Sequence, residues 1–329
     1  MEDEVSEVSG STLESLGWAR AGLGVADASV ARVISAHRGE WDLVSERGPL
    51  RAIHGFARQA PAVGDWVRFS EAAAGQVAIR EVLPRRGILR RKAAGRADRE
   101  QIVAVHVDIA CLLLPSTAEP NPRLIERYLA LSHDGGVTPV VVLSKSDLVD
   151  AASLSRRLAA IKPLEVERCA LSAQSGLGLD ALERYFAEQR TVALIGPSGS
   201  GKSTLLNALI GEARQFTQEV LDSGKGRHTT TRRELFRRPG GGMVIDTPGM
   251  RELGLLDAEQ GITDAFPEIA ALLGTCKFSN CQHDNQPGCA LRSAVERGEI
   301  EPSRLQSFLS LQAEGTEAGS TRPPRSRRR

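Results

Sequence analysis

TVALIGPSGSGKSTLLNALI, Thr191 to Ile210, sets the architecture of this 329-residue chain. TVALI reads as a buried strand, GPSGSGKS from Gly196 to Ser203 matches GxxxxGK[ST], and KSTLLNALI continues as a helix. A phosphate-binding loop needs this strand-to-helix context. The loop of Gly196, Pro197, Ser198, Gly199, Ser200 and Gly201 would wrap phosphate oxygens with its backbone N–H groups, which Pro197 alone lacks, and the helix start adds its positive dipole end. Lys202 would neutralise the β- and γ-phosphates as the catalytic cation, Ser203 would ligate magnesium, and Thr204 completes the nucleotide-contacting run. The ligand is a nucleoside triphosphate with Mg²⁺.

Working outward, three more apolar runs end in polar or glycine-rich residues: VDIACLLL (Val107–Leu114), VVVLSKSD (Val140–Asp147) and MVIDTPG (Met243–Gly249). Continuous apolar runs of this length read as parallel strands covered on both faces, which with the intervening helical segments makes a doubly wound α/β domain. Asp246 closes the last of them, where a carboxylate supports magnesium from the strand beside the phosphate loop, and Gly249 would bring a backbone amide to the γ-phosphate. SGKGRHTTTRREL, Ser223 to Leu235, has no apolar period and is placed as a switch loop, with Thr230 or Thr231 completing the magnesium shell.

Base choice rests on two short motifs. Asp147 in SKSD supplies a carboxylate that can accept from guanine N1 and N2 together, which adenine cannot offer; Lys145 would lay its methylenes along the base, and Ser144 and Ser146 flank them. Ser172 and Ala173 in LSAQSG (Leu171–Gly176) present a backbone amide to guanine O6. Both motifs follow strand-like segments, at the carboxyl edge where such sheets bind ligands. GTP is therefore the expected nucleotide. Guanine motifs usually begin with Asn, whose amide braces the phosphate loop; Ser144 stands there instead, with fewer bonds to offer. Asp147 and Ser172 both precede Gly196, the reverse of the usual order, so the domain is circularly permuted and the strand ending at Asp246 leads directly into the C-terminal segment.

Before this domain, VARVISA, EWDLVSE, LRAIHGF, DWVRFSE and GQVAIREVL give five short strand signals between Val30 and about Arg96, the pattern of a small β-barrel. RRGILRRKAAGR, Arg85 to Arg96, is strongly basic although the whole chain carries a net charge of only +1, so a local anionic partner is compatible with near-neutral totals. With 41% apolar and 25% charged residues the chain is ordinary for a globular protein with a sizeable core. No apolar run approaches the roughly eighteen residues of a membrane span, and the acidic start MEDEVSE lacks a secretory signal, so a cytoplasmic protein without membrane partners is expected, monomeric by default.

CKFSNCQHDNQPGC offers Cys276, Cys281, His283 and Cys289 within fourteen residues. Three thiolates and an imidazole fill a tetrahedron, which makes this a structural zinc site with no position open for catalysis. Cys111 and Cys169 read as small core residues. The resulting division is 1–29 as an N-terminal extension patterned only at SLGW (Ser15–Trp18), 30–97 as the barrel, 98–257 as the permuted nucleotide domain, 258–314 as a small helical zinc-binding domain, and 315–329 as a disordered basic tail.

The barrel, the guanine motifs ahead of the phosphate loop, GRHTTT, DTPG and the Cys/Cys/His/Cys cluster together resemble the ribosome small-subunit-dependent GTPase A family, also called RsgA or YjeQ, from about Val30 to Leu311. SKSD and His106 in VAVHVD, where the family commonly has Asn, are local departures. The resemblance implies an OB-fold barrel, GTP hydrolysis to GDP, and action on the small ribosomal subunit and its rRNA late in assembly. Met250 follows DTPG where many GTPases carry a water-orienting glutamine, which leaves His228 as the catalytic candidate for that role. The competing readings are an ATP-dependent P-loop enzyme and an RNA-binding protein that uses nucleotide without efficient hydrolysis.

Overall fold

The computed structural model describes residues 12–37, 39–55, 57–72, 75–92, 100–211, 233–247, 259–283 and 286–319. The front of the chain forms five strands: β1 (Val30–Ala36), β2 (Glu40–Ser45), β3 (Gly48–His54), β4 (Trp66–Glu71) and β5 (Val77–Val82). They pair in the order β1-β2-β3-β5-β4, and β4 returns to β1, so the sheet closes into a barrel. Closure hides the edge amides that short strands would otherwise expose. Ala31, Val33, Leu43, Val67, Phe69 and Ile79 fill the interior.

A two-stranded hairpin follows, β6 (Leu89–Lys92) with β7 (Glu100–Ala104). The basic stretch read as a run of charge is thus in part a strand, and the boundary drawn at residue 97 falls within this hairpin. The central strands are β8 (Ile109–Pro115), β9 (Thr138–Ser144), β10 (Glu167–Ala170), β11 (Thr191–Ile195), β12 (Glu234–Arg237) and β13 (Met243–Asp246). Their order is β10-β9-β8-β11-β13-β12, parallel throughout except for the antiparallel β12. Odd residues of β8 (Ile109, Cys111, Leu113) pack on one face with Leu205 and Leu209, and even ones (Ala110, Leu112, Leu114) on the other with Ile125 and Leu129. Burial on both faces is why these strands are apolar without alternation.

Ser35 of β1 pairs with Glu234 of β12, so barrel and nucleotide domain share one eleven-stranded sheet. The N-terminal stretch, expected to be an extension, is part of the core from residue 12. Two helical turns, Thr12–Ser15 and Trp18–Ala21, bury Leu13, Leu16, Trp18 and Ala21, and Trp18 stands edge-on to Trp66 with centroids 4.9 Å apart. At the other end the helix Pro302–Gly319 continues past the boundary drawn at 314. Among the described residues no helix is long and apolar enough to cross a membrane.

Candidate nucleotide site and metal centre

β8, β9, β10, β11 and β13 all end at one edge of the sheet, and those of the predicted nucleotide residues that fall among the described residues lie there. Gly196 follows β11 with φ 132°, and a Cβ on it would stand 2.4 Å from the Leu113 carbonyl oxygen, so only glycine passes this point. Gly199 and Gly201 also have positive φ, at 75° and 90°. Lys202 opens the helix Lys202–Ile210, and its Nζ donates to the carbonyls of Gly196 and Pro197 at 2.8 Å each, which holds the ammonium over the loop. Ser203 and Thr204 are exposed at the helix start.

The guanine motifs converge on the same loop. The Ser144 hydroxyl, at the end of β9, lies 2.7 Å from the carbonyl oxygen of Ser200 in the phosphate loop and 3.2 Å from that of Leu114, either of which accepts its proton. Ser144 thus reaches the phosphate loop with its one hydroxyl, where an asparagine amide would have more bonds to offer. Lys145 takes φ 57° and runs toward Gly201: a Cβ on that glycine would lie 4.0 Å from the Lys145 Cε. The Ser146 amide donates to the Leu171 carbonyl, which ties SKSD to LSAQSG, and the Ser172 hydroxyl accepts from Ser175 N.

Between the two motifs and the phosphate loop lies a cavity of about 220 Å³ lined by Ser144, Lys145, Asp147, Ser172, Ala173, Gly201 and Thr204. Leu148, Leu171, Gln174 and Leu205 complete its wall; Leu171 and Gln174 belong to LSAQSG without an assigned contact, and Leu148 and Leu205 directly follow SKSD and the phosphate-loop run. An apolar wall with a carboxylate and a few amides at one end suits a flat base with an edge of donors.

Asp246 is buried at the end of β13, in register with Leu194 of β11, one residue short of the strand end that leads into the phosphate loop. Thr247 beside it donates to the Leu194 carbonyl at 2.6 Å and fixes the turn away from the strand. His228, Thr230, Thr231, Gly249 and Met250 lie outside the described residues.

Cys276, Cys281, His283 and Cys289 meet, with all four ligand atoms within 4.8 Å of one another. The His283 Nδ1 lies 3.5 Å from the Cys276 Sγ and 3.6 Å from the Cys289 Sγ. Ligands about 2.3 Å (sulfur) and 2.0 Å (nitrogen) from a tetrahedral ion stand roughly 3.5–3.8 Å apart, so these two imidazole–sulfur distances are of the size a bound ion needs, and the cluster could hold a metal ion. The Ala290 amide, 3.3 Å from the Cys276 Sγ, lowers the pKa of that thiol, and burial lowers that of His283, which favours the ligating form of both, while burial raises that of Cys281. Burial instead raises the pKa of Cys111 and Cys169, which keeps them as thiols in or beside the sheet.

The family described as RsgA GTPase matches residues 82–256. The chain is 41% identical over 307 residues to a small ribosomal subunit biogenesis GTPase RsgA of Syntrophotalea carbinolica, covering 86% of this chain and 82% of that one. It is 43% identical over 332 residues to the protein so named in Opitutus terrae, covering 92% and 89%. Among solved structures it is similar to YjeQ from Thermotoga maritima, with 26% identity and a TM-score of 0.62 over 89% of this chain and 99% of that one. The fold is also that of YloQ, described as a circularly permuted GTPase, with a TM-score of 0.61 at 21% identity over 89% and 96%.

Proposed function

This chain belongs to the RsgA GTPase family, and from that premise we propose that it hydrolyses GTP in biogenesis of the small ribosomal subunit, with the subunit and its rRNA as partners. One observation carries the nucleotide part of the reading: the loops of Asp147 and Ser172 and the phosphate loop wall a single cavity, with Ser144 bonded across to Ser200. Asp147 would accept from the guanine N1 and N2 hydrogens, the amide of Ala173 would meet O6, and Lys145 would cover the base. Amides of residues 198–204 would hold the phosphates, and Lys202 would shift from its own loop's carbonyls to the β- and γ-phosphate oxygens. Magnesium, when bound through Ser203 with Thr230 or Thr231 and backed by Asp246, neutralises the charge that builds between those phosphates.

His228 is proposed to position the attacking water, since Met250 cannot, and Gly249 to bring an amide to the γ-phosphate. Zinc is proposed for the Cys276, Cys281, His283 and Cys289 cluster, where it would pin the knuckle without taking part in hydrolysis. The closed barrel and the basic sequence Arg85 to Arg96 support rRNA as the anionic partner through the half-exposed Arg86 and Arg90, which lie 3.5 Å from Asp108 and 3.9 Å from Asp134, whereas Arg85 is held inside by Asp65 at 2.6 Å. Action on ribosomal subunits places the protein in the cytoplasm, and a monomer suffices for it.

The test is GTP turnover with and without purified small subunits, in wild type and in Lys202→Ala. Turnover that rises with subunits in wild type and is lost in Lys202→Ala supports the proposal; equal turnover with and without subunits counts against it. His228→Ala that keeps subunit-stimulated turnover removes the histidine from the mechanism.

A further inference from the structure

Arg32 sits in β1 of the barrel with 1% of its surface exposed. Its Nη2 donates to the Thr191 hydroxyl at 2.9 Å, its Nε to the Gly64 carbonyl at 3.2 Å, and its Nη1 to the Leu16 carbonyl. Its Cζ lies 5.3 Å from the centroid of Trp66, the ring on which Trp18 stands. One guanidinium thus joins four segments: the barrel wall, the β4 approach at Gly64, the N-terminal turns and the first residue of β11. The three hydrogen-bond acceptors are two carbonyls and a hydroxyl, none of them a carboxylate. Burial pushes its pKa down to about 9; the nearby carboxylates Asp108 and Asp65, to neither of which it is bonded, act in the opposite direction and Arg86 in the same one.

An apolar side chain would fill this joint without that desolvation penalty, but its packing has no preferred direction, whereas a planar fork of donors sets angle and register. What Arg32 aligns is β11. The Thr191 amide donates to Asp108 Oδ2 at 2.9 Å and the Asp108 amide to the Thr191 carbonyl at 2.9 Å, while Asp108 Oδ1 pairs with Arg20 at 3.0 Å and lies 3.5 Å from Arg86. All of these anchors hold the start of a strand whose far end, roughly 13 Å away at about 3.3 Å per residue, becomes the phosphate loop at Gly196. β11 is hydrogen-bonded to β8 on one side and β13 on the other, and its residues are buried, so it transmits displacement along its axis better than it bends.

We propose that Arg32 is a positioning residue through which the barrel sets the phosphate loop, so that engagement of the barrel by the small subunit is felt at Thr191 and raises GTP hydrolysis. The inference rests on the subunit-stimulated activity proposed above. It also accounts for the Ser15–Trp18 segment, in which Leu16 supplies one acceptor and Trp18 braces the ring beneath the guanidinium.

The experiment compares basal and subunit-stimulated turnover in wild type, Thr191→Val, Arg32→Met and the double variant, each below its own thermal midpoint, with subunit binding measured separately by co-sedimentation. Thr191→Val removes the accepting hydroxyl at constant shape and keeps the test decisive if Arg32→Met fails to fold. The expected result is unchanged basal turnover, unchanged subunit affinity, and stimulated kcat lower by about tenfold in Thr191→Val, with the double variant no worse than the single ones. Full stimulation in Thr191→Val overturns the inference, and so does a loss that appears only as weaker subunit binding. A wild type that subunits do not stimulate overturns the functional reading itself, and the coupling with it.

Discussion

The nucleotide domain is held to the barrel and to the C-terminal unit by joints built on different physics. At the barrel side the buried cation Arg32 faces only neutral acceptors, and the backbone crosses through the Ser35 and Glu234 pair. At the C-terminal side helices pack almost backbone to backbone: a Cβ on Gly261 would lie 2.2 Å from the Ala130 carbonyl oxygen and 2.6 Å from Asp134 N. There Arg304 is fully matched, 2.7 Å from buried Glu126 and 2.6 Å from Glu268, with its Cζ 4.3 Å from the Phe266 ring. Directional donors on neutral acceptors fix a geometry; close packing with charges bonded to each other fixes a contact. The second joint should therefore carry more stability, and the first more of the response to a partner.

The largest effect tests the packing. Gly261→Leu must part the helices Glu259–Ala265 and Pro122–Asp134, and a loss of more than about 4 kcal/mol in unfolding free energy is expected from chemical denaturation. Glu126→Ala comes next: Arg304 keeps Glu268 but loses its buried partner, and the Ser307 hydroxyl loses its acceptor, at about 3 kcal/mol. The double variant Glu126→Leu/Arg304→Leu should recover much of that loss because the buried pair goes together and the partly exposed Glu268 turns to water. If the double variant loses the sum of the two single costs, the matched-charge account of this joint is wrong. Trp18→Ala probes the other joint and is expected to cost about 3 kcal/mol by leaving a cavity against Trp66. A melting temperature indistinguishable from wild type would return residues 12–21 to the status of an extension.

This contrast also separates what could be read from the sequence from what could not. GPSGSGKS and CKFSNCQHDNQPGC are legible because each site is made within a short run, so spacing alone specifies its geometry. The guanine residues are legible one step less, since Asp147 and Ser172 matter only once β9 and β10 are known to end beside β11. β12 (ELFR) escapes a sequence reading because four residues with charges at both ends carry no strand signal of their own, and its first two residues read as the end of the switch loop. The joints were the least visible. Leu13, Leu16 and Trp18 form no pattern until Trp66 is placed against them, and Arg32 in VARVISA reads as a solvated residue of an alternating strand until the N-terminal turns cover it. Residues whose partners lie in distant segments leave no local trace.

His106 offers the smallest and most specific probe of the barrel joint. It is buried at φ 53°, its ring nitrogens have no hydrogen-bond partner among the described residues, and burial, with Arg32, Arg86 and Arg85 around it, pushes its pKa down to about 3 from 6.5. Between those two values the unfolded chain binds a proton that the folded chain does not, so stability is complete above 6.5 and falls as the pH drops below it. One proton corresponds to about 1.4 kcal/mol per pH unit, so the protein should lose about 1 kcal/mol between roughly pH 6.5 and pH 5.5. His106→Asn should abolish that share of the slope, and because asparagine tolerates left-handed backbone it should be no less stable than wild type at neutral pH. Denaturation at the two pH values in both proteins checks this. An unchanged slope in His106→Asn would mean that the imidazole accepts its proton in the folded state, and that the joint tolerates one more cation than its arginines suggest.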